Sequence, residues 1–182
     1  MGNTDKYRLY LATYHTRLSV PGGAPQIHWA LLLGPKHEDP GSLQKTHVLY
    51  HATNHTTGGR WEFARRAVEC VRSPSMLGRI LVCKVDPKDL GEVERVLADP
   101  RRVRGQDPRW DCWVWVAEAL VDLVRHGLVQ WQAKGGVDVG HLFAYGQRFS
   151  ADVLRSGLDV GSGIPPTVTY PGPGAIPDRI IK

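Results

Sequence analysis

Glycine and proline cut this chain into short lengths. The 182 residues include 20 glycines and 13 prolines, and these gather in clusters. One cluster is Pro21-Gly22-Gly23-Ala24-Pro25, a second lies over 35–41 and a third is Gly58-Gly59. Proline fixes φ and removes a backbone donor, whereas glycine frees the backbone, so each cluster reads as a turn. The uncharged apolar runs between them are short. Runs such as 29–33 fall far below the ~20 residues a membrane helix needs. The start, MGNTDKYRLY, is polar and lacks the apolar core of a signal peptide, so the expected location is cytoplasmic. A hydrophobic content of 42% suits one folded domain with a single core.

The periodicities between the clusters are legible. Segments 7–14 and 27–33 are rich in Tyr, Leu, Ile and Trp and read as strands, as does the alternating run over 47–52. Segment 61–71 mixes both periods. Residues 79–85 (RILVCKV) predict a strand, and Pro87 opens a helix over 87–98 with Leu90, Val93, Val96 and Leu97 on one face. The strongest helix spans 111–126. Asp111 caps it, Arg125 and His126 suit its negative end, and Gly127 stops it. Trp113, Val116, Ala117, Leu120 and Val124 are expected to face the core. A last helix is predicted over 139–155. Early strands followed by helices describe an α+β fold, an antiparallel sheet packed against helices. The block 159–182 holds nine Gly or Pro, which excludes a regular helix or central strand. Its Ile164, Val168, Tyr170, Ile176, Ile180 and Ile181 suggest an extended strap docked on a 1–158 domain.

Three cysteines, Cys70, Cys83 and Cys112, cannot all pair with one another and form no CxxC, which argues against a disulfide framework and a cysteine zinc site. Cys83 lies inside an apolar strand and reads as a packed, inert thiol, and Cys70 takes the same default. Cys112 follows a helix cap. Unpaired N–H groups and the positive dipole end favour an anion there, so its thiol is expected to fall from ~8.5 toward ~7. A nucleophilic thiolate needs a base, and the base an orienting group. His28 opens the strand IHWALLLG and His51 lies near the end of VLYHATN. Asn54 and His47 are weaker candidates for the orienting role. Taken alone, a cysteine at a helix start and histidines in strands are most simply packed side chains.

The ordered set IHWALLLG, VLYHATN and WDCWVWVAEAL resembles the circularly permuted papain-like thiol enzymes, the lecithin:retinol acyltransferase-like and NlpC/P60-related families. It is also similar to a group of small, poorly characterised fungal proteins with an HWALL…YHA…C-WV pattern. The resemblance covers 27–124. It implies a permuted papain-like domain in which Cys112 is the nucleophile, His28 the general base and His51 the orienting residue. Two departures stand out: Asp111 occupies a position where Asn is usual, and the 35–45 loop lengthens the spacing from His28 to His51.

His47, His51 and His55 are spaced by four, but on a strand that spacing spans ~13 Å, too far for one metal, so no metal or other cofactor is expected. The loop over 101–109 carries Arg101, Arg102, Arg104 and Arg109. It is read either as a solvated loop or as a clamp for an anionic group beside the thiol. Trp113 is expected in the core, with Trp110 or Trp115 walling a substrate groove. The expected activity is cysteine-dependent acyl transfer on an amide or ester, such as that of a peptide or protein. Backbone N–H groups at the helix start, with Gln26, would hold the oxyanion. The alternative is a non-catalytic module of the same fold binding an acidic peptide, protein or RNA through the arginine loop. A net charge of +5 is too small to predict nucleic-acid binding on its own.

Overall fold

The four predicted strands join three others in one sheet. β1 (Tyr7–His15), β2 (Ile27–Gly34), β3 (His47–Thr53), β4 (Glu62–Val68) and β5 (Met76–Val85) carry most of it. Two short strands, β6 (Gln130–Trp131) and β7 (Thr167–Thr169), complete it. The order is β4-β3-β2-β1-β5-β6, with β7 also beside β5. Every pairing is antiparallel except that of β7 with β5. The computed structural model describes residues 5–16, 27–39, 42–54, 59–69, 74–104, 107, 109–131, 133, 135–158, 164–177 and 179–181. The turn over 21–25, Gln26, His55, Gly58 and Cys70 lie outside the described residues.

The ambiguous 61–71 segment contains β4, because all seven of its strand residues pair with β3 from Thr53↔Glu62 to His47↔Val68. Strand β1 sits in the middle and is buried on both faces, which is why its sequence runs apolar without clean alternation. Leu9 and Leu11 point to the helices, whereas Tyr10 and Ala12 join a smaller cluster with Ala30, Leu32, Leu49 and Met76 on the other face. That second face carries a buried ion cluster. Arg79 donates to both oxygens of Glu38 at 2.8 and 2.5 Å and lies over the Tyr10 ring, while His47 meets Glu38 at 3.0 Å.

Three helices cover the first face: α1 (Leu90–Leu97), α2 (Cys112–Arg125) and α3 (Val139–Ser156). The helix predicted over 87–98 is split. Pro87–Asp89 forms a tight 3-10 turn in which the Asp86 side chain accepts from Lys88 N, and the α-helix starts only at Leu90. Helix α2 begins as expected, with Asp111 Oδ1 accepting from Val114 N at 2.9 Å, and Gly127 supplies a positive φ of 66° after its end. Its rotation differs from the prediction. The buried stripe is Cys112, Trp115, Val116, Ala119, Leu120 and Leu123, while Val124 is exposed. CWVWVAEALV is apolar nearly all round, so apolar periodicity alone left the rotation open; the charged Glu118, Asp122 and Arg125 mark the outer face.

The tail docks. Tyr170 N donates to Leu81 O and Arg79 N to Pro166 O, and the Tyr170 side chain is buried against α3 beside His141. Buried Asp152 accepts from Ile180 N and Arg155. Among the described residues no helix is long and apolar enough to cross a membrane.

Candidate active site

His28 and His51 come together from β2 and β3 on the sheet face opposite the helices, whereas Cys112 packs on the helix face near the same end of β2. The register Leu31↔Tyr50 sets β3 against β2. It brings His28 and His51 to the same side of the sheet as diagonal neighbours, and His28 Nε2 lies 2.8 Å from His51 Nδ1. Their rings meet edge to face, with centroids 5.0 Å apart. Tyr14, the β1 partner of His28, stands on its other side with ring centroids 6.3 Å apart.

The thiol comes from the helix side. Trp29, next to His28, turns its indole toward Trp113 and Phe143, and Gly146 of α3 lets that indole approach. β3 pairs with Leu31, Leu32 and Leu33 of β2, and Trp29 lies beyond that ladder. The backbone N–H of Trp29 is among the groups that hold the Cys112 thiol down against burial. Cys112 thus packs with Trp29 on the helix side of the sheet.

The electrostatics depart from expectation. Burial pushes the Cys112 thiol up to about 11, and the Asp111 charge pushes the same way, against the N–H groups of Trp29, Cys112 and Trp113. Helix-start stabilisation is present, but Cys112 is only 7% exposed and desolvation outweighs it. The resting thiol is neutral, contrary to the value near 7 read from its helix position. Cys83 is completely buried, as expected for an inert thiol, and burial drives it higher still.

The weaker candidates separate. His47 is tied to Glu38 and Thr46 on the second face, apart from His51. Asn54 lies at the end of β3, where its carbonyl accepts from Gly59 N at 3.3 Å. Trp110 is not a groove wall: it is buried edge-on to Trp61, and Trp115 is fully buried against Phe63. Trp113, expected in the core, is half-buried. The arginines do not clamp an anion beside the thiol. Arg101, Arg102 and Arg104 pair with Asp99, Asp122 and Glu118 along a cleft on the outer face of α2, and Arg109 pairs with Asp107. The carboxylates within three residues of Arg101 and Arg109 were the sequence signal for this pairing. Among the described residues no group of three His, Cys, Asp or Glu side chains is placed to hold a metal.

A family profile described as a family of unknown function (DUF6914) matches residues 6–135. No curated protein and no solved structure matches the chain. The matched region ends before α3 and the strap, although both supply buried core residues such as Phe149 and Tyr170.

Proposed function

The chain belongs to DUF6914, a family of unknown function, and on that premise we propose that it is a cysteine-dependent acyl-transfer enzyme built on a permuted papain-like domain. The observation that carries the reading is the 2.8 Å contact between His28 Nε2 and His51 Nδ1, next to Trp29, whose backbone N–H acts on the Cys112 thiol. Nucleophile, base and orienting group are the three parts such chemistry requires.

The tautomers follow from that contact. When His28 donates its Nε2 proton to His51 Nδ1, the basic nitrogen of His28 is Nδ1. His28 Nδ1 takes the thiol proton as the sulfur attacks an amide or ester carbonyl. The carbonyl electron pair moves to oxygen, and N–H groups at the start of α2 stabilise the oxyanion. Collapse expels the amine or alcohol, which receives the proton from His28. Water or an acceptor amine then releases the acyl group by the same steps in reverse. Because burial keeps the resting thiol neutral, proton transfer accompanies attack instead of preceding it as a stable ion pair.

The test is acylation of the sulfur by p-nitrophenyl acetate, read as release of nitrophenol and as an acetyl adduct on the Cys112 peptide. Cys112→Ser is expected to abolish the adduct, and His28→Ala to slow it by roughly 100-fold or more. His51→Ala is expected to slow it less. An adduct forming at the unmodified rate in His28→Ala overturns the assignment.

A further inference from the structure

The outer face of α2, turned away from Cys112, borders a cleft of about 620 Å³ between the 99–104 segment and Val139 at the start of α3. That volume is in the range that holds small organic ligands. Arg102 is its fixed part. The buried guanidinium donates to Val96 O, Leu97 O and Asp122, tying the end of α1 to α2. Arg101, Arg104 and Arg125 stand at the rim, each at least half exposed. Their partners are Asp99, Glu118 and Asp122, and such surface pairs hold by only ~0–1 kcal/mol, so an entering anion displaces them readily. Asp122 serves both Arg102 and Arg125, which leaves four guanidinium groups facing three carboxylates.

Two further features narrow the chemistry. Glu118 Oε1 lies 2.7 Å from Arg104, but its Oε2 is shielded from solvent and has no hydrogen-bond partner among the described residues. A buried acceptor left in this way calls for a donor. Beside Arg125, the cleft shares Val121, Arg125 and Val139 with an apolar annex of about 170 Å³ that ends at Trp131 and Val137. A single excess positive charge, one unmet acceptor and an apolar recess lie in sequence along one wall.

We infer that this cleft binds an N-acylated apolar amino acid, either free or as the carboxyl-terminal residue of a peptide. The carboxylate sits between Arg104 and Arg125, where planar guanidinium groups match its two oxygens. As Arg104 turns to the carboxylate it releases Glu118, whose freed carboxylate swings out to accept from the adjacent amide N–H, and the side chain crosses Val121 and Val139 toward Trp131. A single carboxylate matches the one excess charge, whereas a phosphate dianion would face Asp99, Glu118 and Asp122 with too much charge. The inference does not depend on the thiol chemistry, because the cleft and Cys112 occupy opposite sides of α2.

The experiment is calorimetric titration of the whole protein with N-acetyl-phenylalanine, its carboxamide and N-acetylglycine, with the Trp131 indole N–H resonance as a second readout. Saturable binding of the acid is expected, with a shift of that resonance. The carboxamide, the glycine derivative and Arg125→Gln are each expected to weaken binding by about tenfold or more. Arg125 is an exposed side chain, so the variant keeps its fold, which circular dichroism checks. Acetyl-Ala-Ala-Phe separates the two sources: tenfold tighter binding identifies a peptide end, and equal binding a free acid. No saturation by ~10 mM, equal binding of acid and carboxamide, or an unaffected Arg125→Gln overturns the proposal.

Discussion

Replacing Asp111 by Asn separates the two roles of that residue. As the cap of α2, its Oδ1 accepts from Val114 N at 2.9 Å, and Asn performs that task about as well. As a charge, it raises the thiol of the following residue, second only to burial among the causes that push Cys112 upward. Asp111 is exposed, so its charge acts through largely aqueous surroundings. At roughly 7 Å and an effective dielectric of about 60, a unit charge is worth about 0.8 kcal/mol, or ~0.6 of a pKa unit. Below pH 10 the thiol is mostly protonated, so its thiolate fraction in Asp111→Asn rises about fourfold. The assay is the iodoacetamide alkylation rate of the Cys112 peptide between pH 7 and 10. In the parent chain the rate should climb about tenfold per pH unit, as a thiol titrating near 11 requires. The variant should run parallel and about fourfold faster, with thermal stability unchanged. A plateau near pH 7 in the parent would refute the argument that burial governs this thiol; so would a variant no faster than the parent, or one that is markedly less stable.

Other outcomes can be checked in the same way. Burial would raise the carboxyl of Glu38, but hydrogen bonds from His47 and Arg79 outweigh it and bring it down to about 2. Its contribution, about 3 kcal/mol, is therefore fully present above pH ~4.5 and lost as pH falls toward 2. Urea unfolding of Glu38→Gln should show a flatter decline across that window; an equally steep one refutes the assignment. A Cβ on Gly146 would lie 2.7 Å from Trp29 Cζ3, so Gly146→Ala should lose about 1–3 kcal/mol despite the better helix propensity of alanine. An unchanged melting temperature would show that Trp29 moves aside freely. Tyr170 is 1% exposed and anchors the strap, so Tyr170→Ala should cost about 3–5 kcal/mol in chemical denaturation. A loss below ~1 kcal/mol would mean that the strap adds little to the core.

The sequence by itself determined what is local. Turn clusters set the limits of β2 and β3, Asp111 and Gly127 bracket α2, and the apolar runs placed β1, β2, β3 and β5 within a few residues but left β4 open. It also singled out Cys112, His28 and His51, because a helix cap and strand ends are visible in a few adjacent letters. Tertiary structure decided what depends on distant parts of the chain. The Leu31↔Tyr50 register brings the two imidazoles to 2.8 Å, and no residue near either histidine encodes that register. The rotation of α2 buries Trp115 and turns Glu118, Asp122 and Arg125 outward, because the sheet had to receive one side of a helix that is apolar nearly all round. The neutral thiol has the same kind of origin. A cap acts over one helical turn, whereas desolvation sums over every group packed around the sulfur, and most of those arrive from elsewhere in the fold.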